Sequence, residues 1–146
     1  MSQTIIINRD WIATHIPHQG RMCLLTGVVQ WDEARLLATA ESHTALDNPL
    51  RANGRLGAVN GIEYAAQAMA VHAALLGATP RAGFLASVRS VCLHVVRLDD
   101  VAAALHIHVH RLHGDHYGLL YQFNVQSGSG QALLDGRAAI SHREHG

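Results

Sequence analysis

The sequence predicts an α+β domain in which a curved antiparallel sheet wraps around one long apolar helix. Three observations carry that expectation. One stretch, residues 59–76, has helical periodicity with signals at both ends. Six other stretches have strand character and are separated by turn residues. At 146 residues and 15.8 kDa the chain is one domain, 1–146, large enough to bury a core.

Taken in order, Asp10 is placed to cap a short helix through Trp11 and Ile12. The Ile16-Pro17 pair ends it, because a residue before proline is steered out of the helical region. Residues 22–31 and 35–42 are predicted strands joined by a turn at Asp32-Glu33, and a loop rich in Asn, Gly and Arg fills 43–56. After the helix come strands at 83–96, 102–113, 117–127 and 131–142. Their turns are Asp99-Asp100, Gly114-Asp115 and Gly128-Ser129-Gly130. There is no linker, internal repeat or low-complexity tract.

The helix has Ile62, Ala65, Ala66, Met69, Ala73 and Leu76 at three- and four-residue spacing, an apolar stripe. Gly77 stands where a left-handed terminal residue is expected, Pro80 blocks extension, and Asn60 is a good N-cap. Glu63 is the only acidic residue between Leu50 and Leu98. It has two readings. With Asn60 as cap it falls at the third helical position and completes a capping box, worth about 1 kcal/mol and no chemistry. Alternatively, a half-desolvated carboxylate at the helix's amino end is a catalytic group with a pKa pushed toward neutrality.

Composition narrows the partners. Apolar residues make up 49% and charged ones 15%, so the surface is sparsely charged for a monomer, which burial against a second subunit explains. The formal net charge is zero, which argues against nucleic acid or an anionic membrane as the main partner. No stretch is apolar for long enough to span a bilayer, and the first residues lack the pattern of a signal peptide. Cys23 and Cys92 lie in apolar runs without redox or zinc spacing and are expected as buried free thiols. A cytoplasmic setting follows.

Twelve histidines invite a metal hypothesis. In the run 105–110, alternation puts His106, His108 and His110 on one strand face, and two histidines so spaced could bind zinc. The favoured reading is a solvent-facing polar strand face, with no metal site. His113, His116, His142 and His145 are expected in loops or at the terminus, His72 as a satisfied helix residue, and His15 as exposed. His18 differs, since it follows Pro17 and precedes Gly20, where a rigid turn enters a strand and fixes the ring's direction.

Residues 61–70, Gly-Ile-Glu-Tyr-Ala-Ala-Gln-Ala-Met-Ala, resemble the central-helix motif of the hot-dog-fold 3-hydroxyacyl-[acyl carrier protein] dehydratases. Ile16-Pro17-His18-Gln19-Gly20-Arg21 is similar to that family's Leu-Pro-His-Arg opening, and residues 82–89 to the strand after its helix. The matches keep the family's order and cover almost the whole chain. The family's usual base sits in a Gly-His-Phe-Pro-Gly segment, whereas the corresponding loop here, residues 47–58, is shorter and has no His. A branch found with aryl polyene biosynthesis also keeps the Pro-His and Glu motifs without that segment, and this chain looks closest to it.

The resemblance implies a hot-dog fold, a homodimer or higher homo-oligomer, or a hetero-complex with another hot-dog protein. It also implies dehydration of a 3-hydroxyacyl thioester held on acyl carrier protein or coenzyme A, without a cofactor. The chemistry needs a base for the C2 proton, an acid for the leaving hydroxyl and donors for the thioester oxygen. Glu63 and His18 are the candidate acid/base pair. Asn60, Gly61, Ala58 and Gln67 are candidates for binding substrate and oxyanion at the helix's amino end. Arg51 and Arg55 are candidates for docking an acidic carrier, among a group that includes Arg81, Arg89 and Arg97. Two alternatives stay open. A hot-dog thioesterase needs only a helix-borne carboxylate and an oxyanion hole, and a non-catalytic subunit would bind an acyl chain or pair with an active partner.

Overall fold

A computed structural model describes residues 4–18, 20–77, 85–114 and 118–141. Its strands are β1 (Ile7–Asn8), β2 (Gly27–Trp31), β3 (Arg35–Ala40), β4 (Leu85–Leu93), β5 (Leu105–Gly114), β6 (Gly118–Ser127) and β7 (Ala132–Ser141). Its helices are α1 (Arg9–His15) and α2 (Gly61–Leu75). The strands form one antiparallel sheet in the order β1-β2-β3-β5-β6-β7-β4. The sheet's inner face meets α2, as the sequence requires of a helix apolar on nearly every side.

Period-two alternation sets what the sheet buries. Leu36, Ala38 and Ala40 on β3, Leu105, Ile107 and Val109 on β5, and Tyr121, Phe123 and Val125 on β6 are all buried. Burying one of the larger of these side chains stabilises the fold by roughly 1.5–3 kcal/mol. Gly61 lies so close to β7 that an added Cβ would come within 2.5 Å of Leu134 Cδ2, so the first turn of α2 reaches the sheet only without a side chain there.

The helix presents a different face from the expected stripe. Tyr64, Ala65, Gln67, Ala68, Met69, Val71 and His72 are buried, while Ile62, Ala66, Ala73 and Leu76 are only partly covered. An alanine-rich helix is apolar all round, so spacing alone does not choose its inner face. Two polar residues turn inward because each finds partners. His72 Nε2–H donates to the Asp32 carbonyl at 2.8 Å, leaving Nδ1 to accept from the Tyr121 hydroxyl at 2.7 Å. Both ring nitrogens are thus satisfied, as expected for this residue. Burial is the main reason the His72 pKa lies below its ordinary value.

Other boundaries differ too. The cap of α1 is Asn8, whose side chain accepts the Trp11 N–H at 3.0 Å, and Asp10 lies in the first turn. The predicted strand at 22–31 begins only at Gly27. A 3-10 turn at Gly20–Met22 comes first, with Gly20 at φ +57°, and Cys23, Leu24 and Leu25 pack beneath it in the core. The strand expected over 83–96 ends at Leu93. His113 belongs to β5 and not to a loop. His15 is exposed and stacks on Trp11 at 3.7 Å. Cys23 is a buried free thiol, but Cys92 is exposed on β4, the last strand of the sheet. Arg81, His116, His142 and His145 lie outside the described residues. Among the described residues, no helix is long and apolar enough to cross a membrane.

Candidate active site

Three fastenings bring the His18 turn against α2. The Ile16 N–H closes α1 on the Ile12 carbonyl. The Arg9 guanidinium donates to the Gly20 and Cys23 carbonyls, each at 3.0 Å. From the helix, the Gln67 amide donates to the Met22 carbonyl at 2.6 Å and accepts the Leu24 N–H at 2.9 Å. His18, Met22 and Leu24 therefore lie along the first two turns of α2. His18 Nε2 comes to 3.1 Å from Glu63 Oε1, with side chains 24% and 34% exposed.

The capping-box reading of Glu63 does not hold. No capping box forms, because a 3-10 turn at Ala58–Asn60 runs straight into α2 and leaves Asn60 already helical, at φ −67° and ψ −13°. Its side chain makes no cap bond and donates instead to the Gly57 carbonyl at 3.1 Å. The expected rise of the Glu63 pKa is also corrected. The hydrogen bond from His18 outweighs burial and, with a smaller contribution from Gln67, holds the carboxyl below its ordinary value. Glu63 is a carboxylate at neutral pH.

The proposed oxyanion donors do not stand open. The Ala58 N–H donates to the Val96 carbonyl and the Asn60 N–H to the Gly57 carbonyl, both at 3.0 Å, while the Gly61 N–H bonds back to Ala58 and Val59. Gln67 is buried and engaged with Met22 and Leu24. The extra 3-10 turn uses the amides that a helix beginning at Gly61 would have left free. What remains of the helix end is its dipole, which favours negative charge nearby.

The two arginines also part ways. Arg51 donates to the Gly54 and Thr44 carbonyls and stiffens its own loop, whereas Arg55 is exposed beyond the tight turn at Asn53-Gly54. Arg97 is paired with Asp99. His106, His108 and His110 do share the outer face of β5, partly exposed, opposite Gln126, Asn124 and Gln122 on β6. Among the described residues no group of three or more His, Cys, Asp or Glu side chains is placed to hold a metal ion.

One cluster near the site carried no signal in the sequence. The Tyr64 hydroxyl, on α2 one residue after Glu63, lies 2.7 Å from Ser42 Oγ and 3.0 Å from Asn48 Nδ2, and Ser42 donates to the Leu24 carbonyl. These bonds tie the long loop to the helix beside Gln67. The Gln67 clamp itself was visible only as a polar residue inside an apolar helix, four positions after Glu63.

An antiparallel sheet of seven strands around one long helix is the architecture of a hot-dog protein. Residues 11–142 match the ApeP-like family, described as ApeP dehydratase, and the chain belongs to that family. No curated protein sequence matches it significantly. Among solved structures it is similar to the dehydratase heterocomplex ApeI:P from Xenorhabdus doucetiae, with a TM-score of 0.75 and 21% identity over 91% of both chains. It is also similar to the Escherichia coli PaaI protein from the phenylacetic acid degradation operon, with a TM-score of 0.61 and 10% identity over 79% of this chain and 81% of that one. Thioesterase superfamily member 2 from Mus musculus follows, with a TM-score of 0.58 and 14% identity over 82% and 83%. At these identities the likenesses concern the fold.

Proposed function

We propose that this protein removes water from a 3-hydroxyacyl thioester, presented on an acyl carrier protein, to give the 2-enoyl thioester in a fatty-acid- or polyene-type synthesis. The 3.1 Å contact between His18 and Glu63 carries the reading. Family membership supports it, and a carboxylate held beside an imidazole is a group able to move the protons that dehydration requires. Glu63, Ala66, Ala70 and Ala73 recur at three- and four-residue spacing along one partly covered flank of α2, so the surface beside the carboxylate is apolar, as an acyl chain requires. The chemistry calls for no cofactor.

The partners follow from the same features. Among the described residues β4 ends the sheet and pairs only with β7, and its other edge would suit pairing with a second hot-dog subunit. That subunit is another copy of this chain or, by analogy with the ApeI:P heterocomplex, a different hot-dog protein. Arg55 is the better placed cation for steering an acidic carrier, and Arg51 supports the loop that bears it. A cytoplasmic setting fits the two free cysteines.

A thioesterase reading draws on the fold shared with thioesterases and on Glu63, which could serve without His18. Product identity separates the two. Incubation with a 3-hydroxyacyl thioester of carrier protein or coenzyme A should yield the enoyl thioester. Release of free thiol instead would make the protein a thioesterase, and recovery of unchanged substrate, also with an added hot-dog partner, would leave the non-catalytic reading.

A further inference from the structure

Glu63 and His18 do not share the proton work equally. Resting on the dehydratase reading, we infer that Glu63 alone carries the proton from C2 of the substrate to the departing hydroxyl, and that His18 is a positioning residue whose neutral ring is protonated at Nε2.

The argument starts from the ring's two nitrogens. Nε2 faces Glu63 Oε1 at 3.1 Å, while Nδ1 is buried and has no hydrogen-bond partner among the described residues. A proton on Nδ1 would be a buried donor without an acceptor, which is unfavourable, and more so when the ring is charged. The imidazolium and the Nδ1–H tautomer both carry that penalty. The Nδ1–H tautomer would in addition set the Nε2 lone pair against a carboxylate oxygen. One state avoids both faults: Nε2–H donating to an ionised Glu63, with Nδ1 left as a bare lone pair.

In that state the single proton of His18 is held by the carboxylate, and a neutral imidazole is far too weak an acid to protonate a leaving hydroxyl. No other histidine lies between His43 and His72, so the loop and the amino end of α2 supply no replacement. The carboxylate has a second oxygen, Oε2, which His18 does not hold. Oε2 takes the C2 proton, the C2–H electron pair becomes the C2=C3 double bond, and the C3–O bond breaks. The departing oxygen takes the same proton back from Oε2 and leaves as water. Glu63 ends as the carboxylate it began as, and both transfers occur on one face of the substrate.

His18 acts through Glu63. Its hydrogen bond fixes Oε1 and keeps the carboxyl ionised. Among the described residues, His18 is the only titratable side chain acting on that carboxylate, and Gln67, the other neighbour, is neutral.

Two measurements on the intact protein test this. Nitrogen NMR of 15N-histidine-labelled protein at neutral pH should show a ring with Nε2 protonated and Nδ1 bare that disappears in His18→Gln. An imidazolium or an Nδ1–H ring at that position overturns the assignment, whether or not the protein is a dehydratase. In kinetics, Glu63→Gln should lose roughly 10²–10⁴-fold in kcat. His18→Gln, which can still donate an N–H, should retain kcat within about tenfold, with the acid limb of its pH profile moved to higher pH. A wild-type alkaline limb that vanishes in His18→Gln would make His18 the acid and overturn the proposal. A wild type that forms no enoyl thioester refutes the dehydratase reading and leaves the tautomer result standing by itself.

Discussion

His18 and Glu63, 45 residues apart in the chain, meet at 3.1 Å through Nε2 and Oε1. The contact is built from both sides: a capped, proline-terminated helix delivers the ring, and Gln67 holds the incoming chain to the same helix face that carries the carboxylate.

This contact gives the fold a dependence on acid. The folded pKa of Glu63 lies below its unfolded value, so its contribution to stability is complete above the ordinary carboxylate range and is lost as pH falls through the folded value. His18→Ala removes the cause of the depression. Urea unfolding at pH 7 and at pH 4 should therefore show a smaller loss on acidification in His18→Ala than in the wild type. Equal losses would mean that the hydrogen bond does not hold the carboxylate.

Gln67→Ala should destabilise the protein by about 2–4 kcal/mol. The change strands the Leu24 N–H and the Met22 carbonyl, each costing about 1–3 kcal/mol when buried without a partner. It should also lower dehydration, because the turn bearing His18 loses its hold on α2. Chemical denaturation together with a rate assay checks both, and an unchanged midpoint would contradict the clamp.

Two buried histidines, His43 and His72, have pKa values lowered first of all by burial. They are neutral in the fold but take up protons once unfolded, so stability should fall as pH drops below about 6.5, the ordinary histidine value. His72→Gln should flatten part of that slope, at a cost of about 1–3 kcal/mol at neutral pH from the disturbed bonds to Tyr121 and Asp32. Denaturation midpoints measured between pH 5 and pH 7.5 decide this, and a flat wild-type profile would contradict it.

Arg55→Ala should raise KM for a carrier-bound substrate several-fold and spare a coenzyme A analogue, since an exposed charge acts on encounter with an acidic protein. Arg51→Ala should reduce stability as well, because its guanidinium closes the loop on Thr44 and Gly54. Equal losses on both substrates in Arg55→Ala would reject the docking role.

Much of this was legible in the sequence, for identifiable reasons. Strict alternation at Leu105, Ile107 and Val109 marked the core face of β5. Ile16-Pro17 marked the end of α1, and Glu63 stood out as a lone carboxylate in an apolar helix. The inner face of α2 was hidden, because Ala66 and Ala73 look no different from Ala65 and Ala68 until the sheet is placed. The 3-10 turn before Gly61 was hidden as well: Asn60 is a good cap in isolation, and only the bonds from the Asn60 and Gly61 N–H groups back to Gly57 and Ala58 show that a 3-10 turn runs into the helix. The direction of the Glu63 pKa depended on a residue 45 positions away, and local pattern cannot weigh that distance.

The most direct test of the central claim is to supply a 3-hydroxyacyl carrier-protein thioester to the wild type and to folded Glu63→Gln, and to follow the acyl group by mass spectrometry. The wild type should lose the mass of one water from the substrate, while Glu63→Gln, with a stable fold but no carboxylate, should leave it intact. Dehydration at the wild-type rate in Glu63→Gln would contradict the account.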